Sequence, residues 1–420
     1  MAEPEIVVAN REHLWWLLAE ASQLEHMIMC QYLFAEFTLK SADELTADQA
    51  KVVDRWRETL RGIAVEEMLH LALVSNLMAA IGAAPTFGRP NFPCRSGYFP
   101  AAMQLDLLPF GEQALQHFLY MERPEGMERQ DPEKFVPAAP PLEPLDASEA
   151  MPHGQEFTTI GHLYRGVERG LVTLADRFGE RALFVGSPRA QATPERFSWP
   201  QMIAVTDPAT AQAAVDEIIE QGEGARGDWK DAHYGRFLAV WQEYEDLRER
   251  DASFQPARPV LPAYSRQPFD VVEPVPVITD PRTRQVAEAT ALGYELVVHL
   301  LTRFFTHTDE TDEQLDVLVN CAIDTMAGVV RPLATTMTTL PIGPEQPGYT
   351  AGFSFEVFYA MGNLVPWREP AWALLHERAA ILAERCAELA DDAATAHETA
   401  AATTASLAAH VPADLMAKPR

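Results

Sequence analysis

Basic residues are scarce in this 420-residue chain: 33 Lys and Arg stand against 61 Asp and Glu, a formal net charge of −28. That imbalance repels phosphate backbones and anionic lipid, which argues against sequence-independent binding to nucleic acid or to a membrane surface. Cysteine is scarce too. Cys30, Cys94, Cys321 and Cys386 lie far apart with no Cys-x-x-Cys pair, which disfavours a disulfide scaffold, a thiolate zinc site and an iron–sulfur cluster. No uninterrupted apolar run reaches the ~20 residues of a membrane span. The start, MAEPEIVVANREHLWW, shows no basic segment leading into an apolar one. A cytoplasmic protein is the expectation. The sequence shows no convincing strand pair, no 20–50-residue repeat, no Walker-type phosphate loop and no Gly-x-Ser-x-Gly elbow.

What is present is helical periodicity. Apolar residues recur at three- and four-residue steps over 11–40, through Leu14, Leu18, Ala21, Ile28, Met29 and Tyr32. A second helix is expected over 46–83, closed by Gly82 and Pro85. Others are expected at 111–123, 156–180, 207–224, 229–250, 282–308, 311–340 and 367–409, with a fraying tail from about 405. Residues 84–112 and 124–154 are Pro-rich and read as long loop insertions. The segment QPARPVLPAYSRQPFDVVEPVPVITDP, 255–281, breaks the pattern. It divides the chain into a helical bundle at 1–254, a connector at 255–281 and an appended C-terminal helical region at 282–420. The expected class is all-α.

Some of the acid sits where acid is costly. Glu25 shares its helix face with Leu18, Ala21, Ile28, Met29 and Tyr32, and an ionised carboxylate on such a stripe needs a partner or a metal. The second helix repeats the anomaly in RGIAVEEMLHLALVSNLM, where Glu67 and His70 lie three apart among Ile63, Leu71, Val74 and Leu77. Glu-x-x-His is the spacing by which bundle helices offer a carboxylate and an imidazole to one ion. Glu66, four residues before His70, fits the register as well. A single Glu-x-x-His arises by chance, and Glu66 and Glu67 alone could form a solvated face. Two consecutive helices with acid on their apolar stripes favour metal. His26 reads as surface or as a residue behind the ligands, and Tyr32 as core or as a hydrogen-bond partner of the site.

The other half of such a site is less clear. In EFTTIGHLYRGVERGL the apolar face is Ile160, Leu163, Val167 and Leu171, and His162 lies off it. In the helix at 207–224 the stripe is Val215, Ile218 and Ile219; Glu223 flanks it and Glu220 points away. His233 is the nearest imidazole. For Glu220 and Glu223 a solvated helix end competes with ligation, so the residues leave this half open.

LLAEASQLEHMIMCQYLFAEFTLK followed by VEEMLHLALVSNLMAAIGAAPTF resembles the ferritin-like domain of the iminophenyl-pyruvate dimer synthase family. That family includes the imine-dimerising enzymes of violacein and indolocarbazole biosynthesis. TIGHLYRGVERGL, VDEIIEQGEG, HYGRF, PLATTMTTLPIG and TAGFSFEVF carry the resemblance over residues 10–390. It implies a ferritin-like helical bundle with a metal site, acting in an oxidative step of secondary metabolism. It also implies Glu25, Glu67 and His70 as ligands and catalytic residues, with Glu220, Glu223 and His233 on the opposite side. His162 stands where the family often has Glu. The departure implies either a ligand swap, since both side chains bind iron, or a single-metal or mixed site in place of a di-iron centre.

The expected activity is that of a metal-dependent oxidoreductase. One or two iron ions, or another divalent metal, would use O2 or a peroxide to oxidise an aromatic amino acid or its imine beside Met29, Tyr32, Met78 and Tyr164. The alternative is a non-catalytic ferritin-like scaffold or a small-molecule-binding partner in a biosynthetic complex. The expected partners are a small-molecule substrate and O2, with a second copy of the chain or a biosynthetic partner enzyme left open.

Overall fold

A computed structural model describes residues 5–95, 103–129, 145–224, 228–268, 271, 273–357, 364–389 and 393–416. Much of the acidic insertion expected at 124–154 therefore lies outside the described residues. The chain forms two compact units, Met1–Pro85 with Pro93–Ala257, and Thr86–Phe92 with Arg258–Arg420.

The first unit holds α1 (Arg11–Thr38), α2 (Ala47–Ala80), α3 (Glu112–Met121), α4 (Ile160–Phe178), the single turns α5 (Glu180–Leu183) and α6 (Pro194–Phe197), α7 (Pro208–Gly222) and α8 (His233–Arg250). Their starts are set by side chains that accept the free N–H groups of the first turn. Asn10 caps α1, Thr46 and Gln49 form a reciprocal capping box at α2, and Thr159 caps α4. Asp207 caps α7, with Pro208 in the first turn. Helices α1, α2, α4 and α7 pack as a four-helix bundle; α3 and α8 form a further pair, and α8 also leans on α2. One end of α2 is anchored by buried Trp56, which stacks on Phe110 at 5.2 Å and meets Tyr244 at 6.1 Å. Ile6 and Val8 lie so close over α4 that a Cβ on Gly166 or Gly170 would come within 2.8 Å of them. Glycine is what admits this approach.

The second unit holds α9 (Pro281–Phe305), α10 (Asp312–Thr325), α11 (Arg331–Met337), α12 (Arg368–Glu388) and α13 (Ala394–Ala408). The single helix expected over 311–340 is interrupted by a π turn, Met326–Val330. Pro332 explains it: proline has no N–H to continue the ladder, and its ring displaces the carbonyl four residues back. The helix expected over 367–409 is two, α12 and α13. Residues 405–408, expected as tail, are helical.

The chain also contains short strands that its periodicity does not announce. Strands β1 (Cys94–Arg95) and β2 (Gln104–Leu105) pair antiparallel, and β3 (Val260–Ala263) pairs in parallel with β4 (Thr350–Phe353). Runs of two to four residues are too short to show alternation. Two helical stretches, Ala47–Ala80 and Asp312–Met337, have windows of mean hydropathy 1.4 and by length and composition are apolar enough to cross a membrane. Neither stretch is an unbroken apolar run. In α2 that window is 83% buried, because the apolar side chains form the bundle core.

In the second unit Glu356 is 2% exposed and accepts the Ser265 backbone N–H at 2.9 Å. Burial pushes its carboxyl up to about 7; Glu288 and Glu295 add to this and the Ser265 hydrogen bonds oppose it. A buried carboxyl whose value is raised in the folded state costs stability once the unfolded chain ionises. Stability therefore falls as pH rises from the ordinary 4.5 to about 7. Glu356→Gln should remove that slope, gaining up to about 3 kcal/mol at pH 8 and little at pH 4.5. Urea denaturation at the two pH values checks this, and an equal effect at both would contradict it.

Candidate metal centre

Helix α1 is buried nearly all round, and Glu25 lies in its middle among buried Ala21, Ile28, Met29 and Tyr32. One helical turn on α2 brings Glu67 and His70 to the same side. His70 Nδ1 is 2.8 Å from Glu67 Oε2 and 3.7 Å from Glu25 Oε2. The other Glu67 oxygen, Oε1, is 2.8 Å from Nδ1 of His233, the first residue of α8. That nitrogen is in turn 3.6 Å from Oε2 of Glu122, the residue that ends α3. Two donor sets result, Glu25/Glu67/His70 and Glu67/Glu122/His233, with the ligand atoms of each set within 4.8 Å of one another. Glu67 belongs to both. The two imidazole rings lie 5.4 Å apart and 24° from parallel.

All five side chains are at most 2% exposed, so their charges are settled by one another. Burial pushes Glu25 up to about 8, Glu67 adds to it, and His70 only partly offsets the rise. Glu122 is raised by burial and by Glu67, against His233 and Tyr32. Burial alone would raise Glu67, yet the charges of His233 and His70 outweigh it and hold the carboxyl well below its ordinary range. Burial alone would lower His70; Glu67 and Glu25 overcome it and push the ring up to about 10. His233 is raised well above its ordinary value in the same way, by Glu67, Glu122 and Glu66 against burial. The cluster thus calls for positive charge in a dry interior, supplied by protons or by a cation.

Geometry favours a cation. Among the described residues, Glu25 Oε2, Glu67 Oε1 and His233 Nδ1 are buried and find no hydrogen-bond partner. Glu67 Oε1 and His233 Nδ1 approach to 2.8 Å without the alignment of a hydrogen bond. The remaining atoms are well held. Tyr164 donates to Glu25 Oε1 at 2.5 Å, and Tyr32 donates to Glu122 Oε1. His70 Nε2 is 3.1 Å from Gln221 Oε1, and His233 Nε2 is 2.9 Å from Glu66 Oε2. Every donor residue but Glu67, which faces the two imidazoles, is thus oriented by a partner behind it, as metal ligands are.

A family model described as Ferritin-like matches residues 18–242, more than half of the chain. The chain belongs to the ferritin-like family. It is 26% identical over 387 residues to dichlorochromopyrrolate synthase from Lentzea aerocolonigenes, a match covering 83% of this chain and 36% of that protein. It is 27% identical over 371 residues to 2-imino-3-(indol-3-yl)propanoate dimerase from Chromobacterium violaceum, covering 82% and 34%. The matched chain thus spans about a third of the length of either relative. A crystal structure of a ferritin-like protein from Caulobacter vibrioides shares 18% identity at a TM-score of 0.47, covering 75% of this chain and 96% of that one. The all-α, ferritin-like class and the resemblance to imine dimer synthases stand as the sequence suggested.

The ferritin-like bundle brings Glu25, Glu67, His70 and His233 together and leaves three expected residues outside the donor sets. His162 lies in the first turn of α4, where its Nδ1 accepts the Thr158 N–H at 3.2 Å. Glu220 is exposed and faces an open groove shared with Glu66, Glu217 and Arg236. Glu223 is buried beside the cluster, but its carboxylate accepts the N–H groups of Gly161 at 2.7 Å and Glu125 at 3.1 Å. A Cβ on Gly161 would sit 2.3 Å from that carboxylate, so glycine makes the contact feasible. Helices α4 and α7, expected to supply ligands, instead supply the wall of a small cavity: Ile160, Gly161 and Tyr164 from one, Ile218, Ile219 and Gly222 from the other. Met29 and Met78 are core residues, and His26, for which a surface position was one reading, is 3% exposed. The sequence reading missed Glu122. It follows buried Leu115, Phe118 and Leu119 by seven, four and three residues, so the stripe test applied to Glu25 would have found it.

Proposed function

We propose that this ferritin-like chain is a metal-dependent oxidoreductase of secondary metabolism that holds two divalent ions, iron by preference, and acts on an aromatic imino acid or its parent amino acid. The observation that carries the proposal is the pair of buried donor sets joined through Glu67. Three carboxylates and two imidazoles, with no thiolate, suit iron, manganese or zinc. Of these, iron brings the redox couple that an oxidation needs. The substrate class rests on the relatives, one of which is named for dimerising 2-imino-3-(indol-3-yl)propanoate.

The chain's own residues have clear tasks in this reading. Glu67 would serve both ions, Glu25 and His70 one of them, Glu122 and His233 the other. Tyr164 and Tyr32 fix the carboxylates of Glu25 and Glu122 through their hydroxyls. Ile28, Ile160, Ile218 and Ile219 line the small cavity beside the site and keep water from it, which strengthens every electrostatic interaction inside. The proposal includes a cytoplasmic setting, in which the four buried cysteines, none of them in a disulfide, would stay reduced.

The test is to load the protein anaerobically with Fe²⁺, add O2 and the imine freshly made from tryptophan, and follow oxygen uptake and product mass. The proposal predicts uptake coupled to a product carrying two substrate units. Iron bound without uptake or product would favour the scaffold reading.

A further inference from the structure

The two imidazoles of the centre turn the same nitrogen inward and meet different groups outward. Nε2 of His233 faces the Glu66 carboxylate at 2.9 Å, and Arg236 holds both oxygens of Glu66, fixing it against the ring. Nε2 of His70 faces the Gln221 amide oxygen at 3.1 Å. The amide nitrogen of Gln221 donates to Glu217 Oε1 at 2.5 Å, so the oxygen is the atom left to face the ring. In both cases the outward N–H is donated, so an ion that displaces the inward proton would meet the lone pair of Nδ1. The carboxylates do not differ in this way, since Glu25 and Glu122 each accept one tyrosine hydroxyl. The asymmetry lies in the imidazoles: one is backed by a carboxylate, the other by a neutral amide.

A charged acceptor behind a ligating imidazole makes it a stronger donor than a neutral acceptor does. We infer that the two metal positions are unequal: the Glu67/Glu122/His233 position fills first and holds its ion more tightly than the Glu25/Glu67/His70 position, with Glu66 as the positioning residue that sets this order. The inference rests on the metal reading proposed above. Nothing in the Glu-x-x-His spacing distinguishes the halves; Glu66 does so from outside the ligand set.

Anaerobic titration with Co²⁺, followed by its visible absorption, tests this without reference to turnover. Wild-type protein should bind in two resolved steps. His70→Ala should keep the tight step and His233→Ala the weak one. Glu66→Gln, close in shape, should weaken the first step about 10- to 100-fold and merge it with the second. The reverse exchange, Gln221→Glu with Glu217→Gln, should tighten the second step and gives an independent result if Glu66→Gln misfolds. Two steps in the wild type that Glu66→Gln leaves unmoved would overturn the inference while sparing the metal reading. A wild-type protein that takes up no Co²⁺ would overturn both.

Discussion

Glu67→Ala should empty both metal positions, whereas His70→Ala should leave about one ion per chain. The difference follows from sharing. Glu67 Oε2 faces His70 and Oε1 faces His233, so one truncation removes a donor from each set, while His70 serves only the set with Glu25. A set cut from three donors to two in a buried site has lost most of its affinity and its geometry. Metal analysis after anaerobic loading reads the outcome directly: about two ions in the wild type, about one in His70→Ala and none retained in Glu67→Ala. Far-ultraviolet circular dichroism on the same samples separates loss of metal from loss of fold. Equal metal content in the two variants would contradict the shared role of Glu67.

The largest stability effect is expected at Arg303 in the second unit. Arg303 is 1% exposed; its Nε donates to Glu310 Oε1 at 2.5 Å, and its remaining nitrogens donate to the Pro366 carbonyl at 2.8 Å and Thr308 Oγ1 at 3.1 Å. The indole N–H of buried Trp372 donates to the same Glu310 oxygen at 3.1 Å. Burial alone would raise the Glu310 carboxyl; the Arg303 contact overrides it and holds the group below its ordinary value. Arg303→Ala strands that carboxylate in the interior and should cost about 3–5 kcal/mol. The double replacement Arg303→Met with Glu310→Leu should recover part of the loss, because it removes the stranded charge but leaves the Trp372 indole N–H, the Thr308 N–H and the Pro366 carbonyl without these partners. Urea denaturation followed by tryptophan fluorescence measures both. A single variant within about 1 kcal/mol of wild type would show that the pair adds little, as exposed ion pairs do.

Half of the centre was legible because its signal is local. Glu25 and the Glu67/His70 pair are polar residues on otherwise apolar helical stripes, and periodicity alone exposes them. The other half is set by tertiary packing. A regular four-helix plan assigns it to the helices now seen as α4 and α7, and the chain instead takes Glu122 and His233 from the adjoining pair α3 and α8. The sequence offers His233 only as the nearest imidazole and through family resemblance, and its place beside Glu67 cannot be read from its own neighbours in sequence. Glu122 sits at a helix end on the stripe of Leu115, Phe118 and Leu119, so its signal too is local. The fold shows the same division. Long periodic helices were predictable to within a few residues, while the π turn before Pro332 and the strands of two to four residues left no periodic trace.

The most direct test of the central claim is anomalous diffraction at the iron edge from crystals grown anaerobically with Fe²⁺. The account predicts two peaks on either side of Glu67, one ligated by Glu25 and His70 and the other by Glu122 and His233. Iron bound instead through His162 or Glu220, or iron at neither side of Glu67, would contradict it.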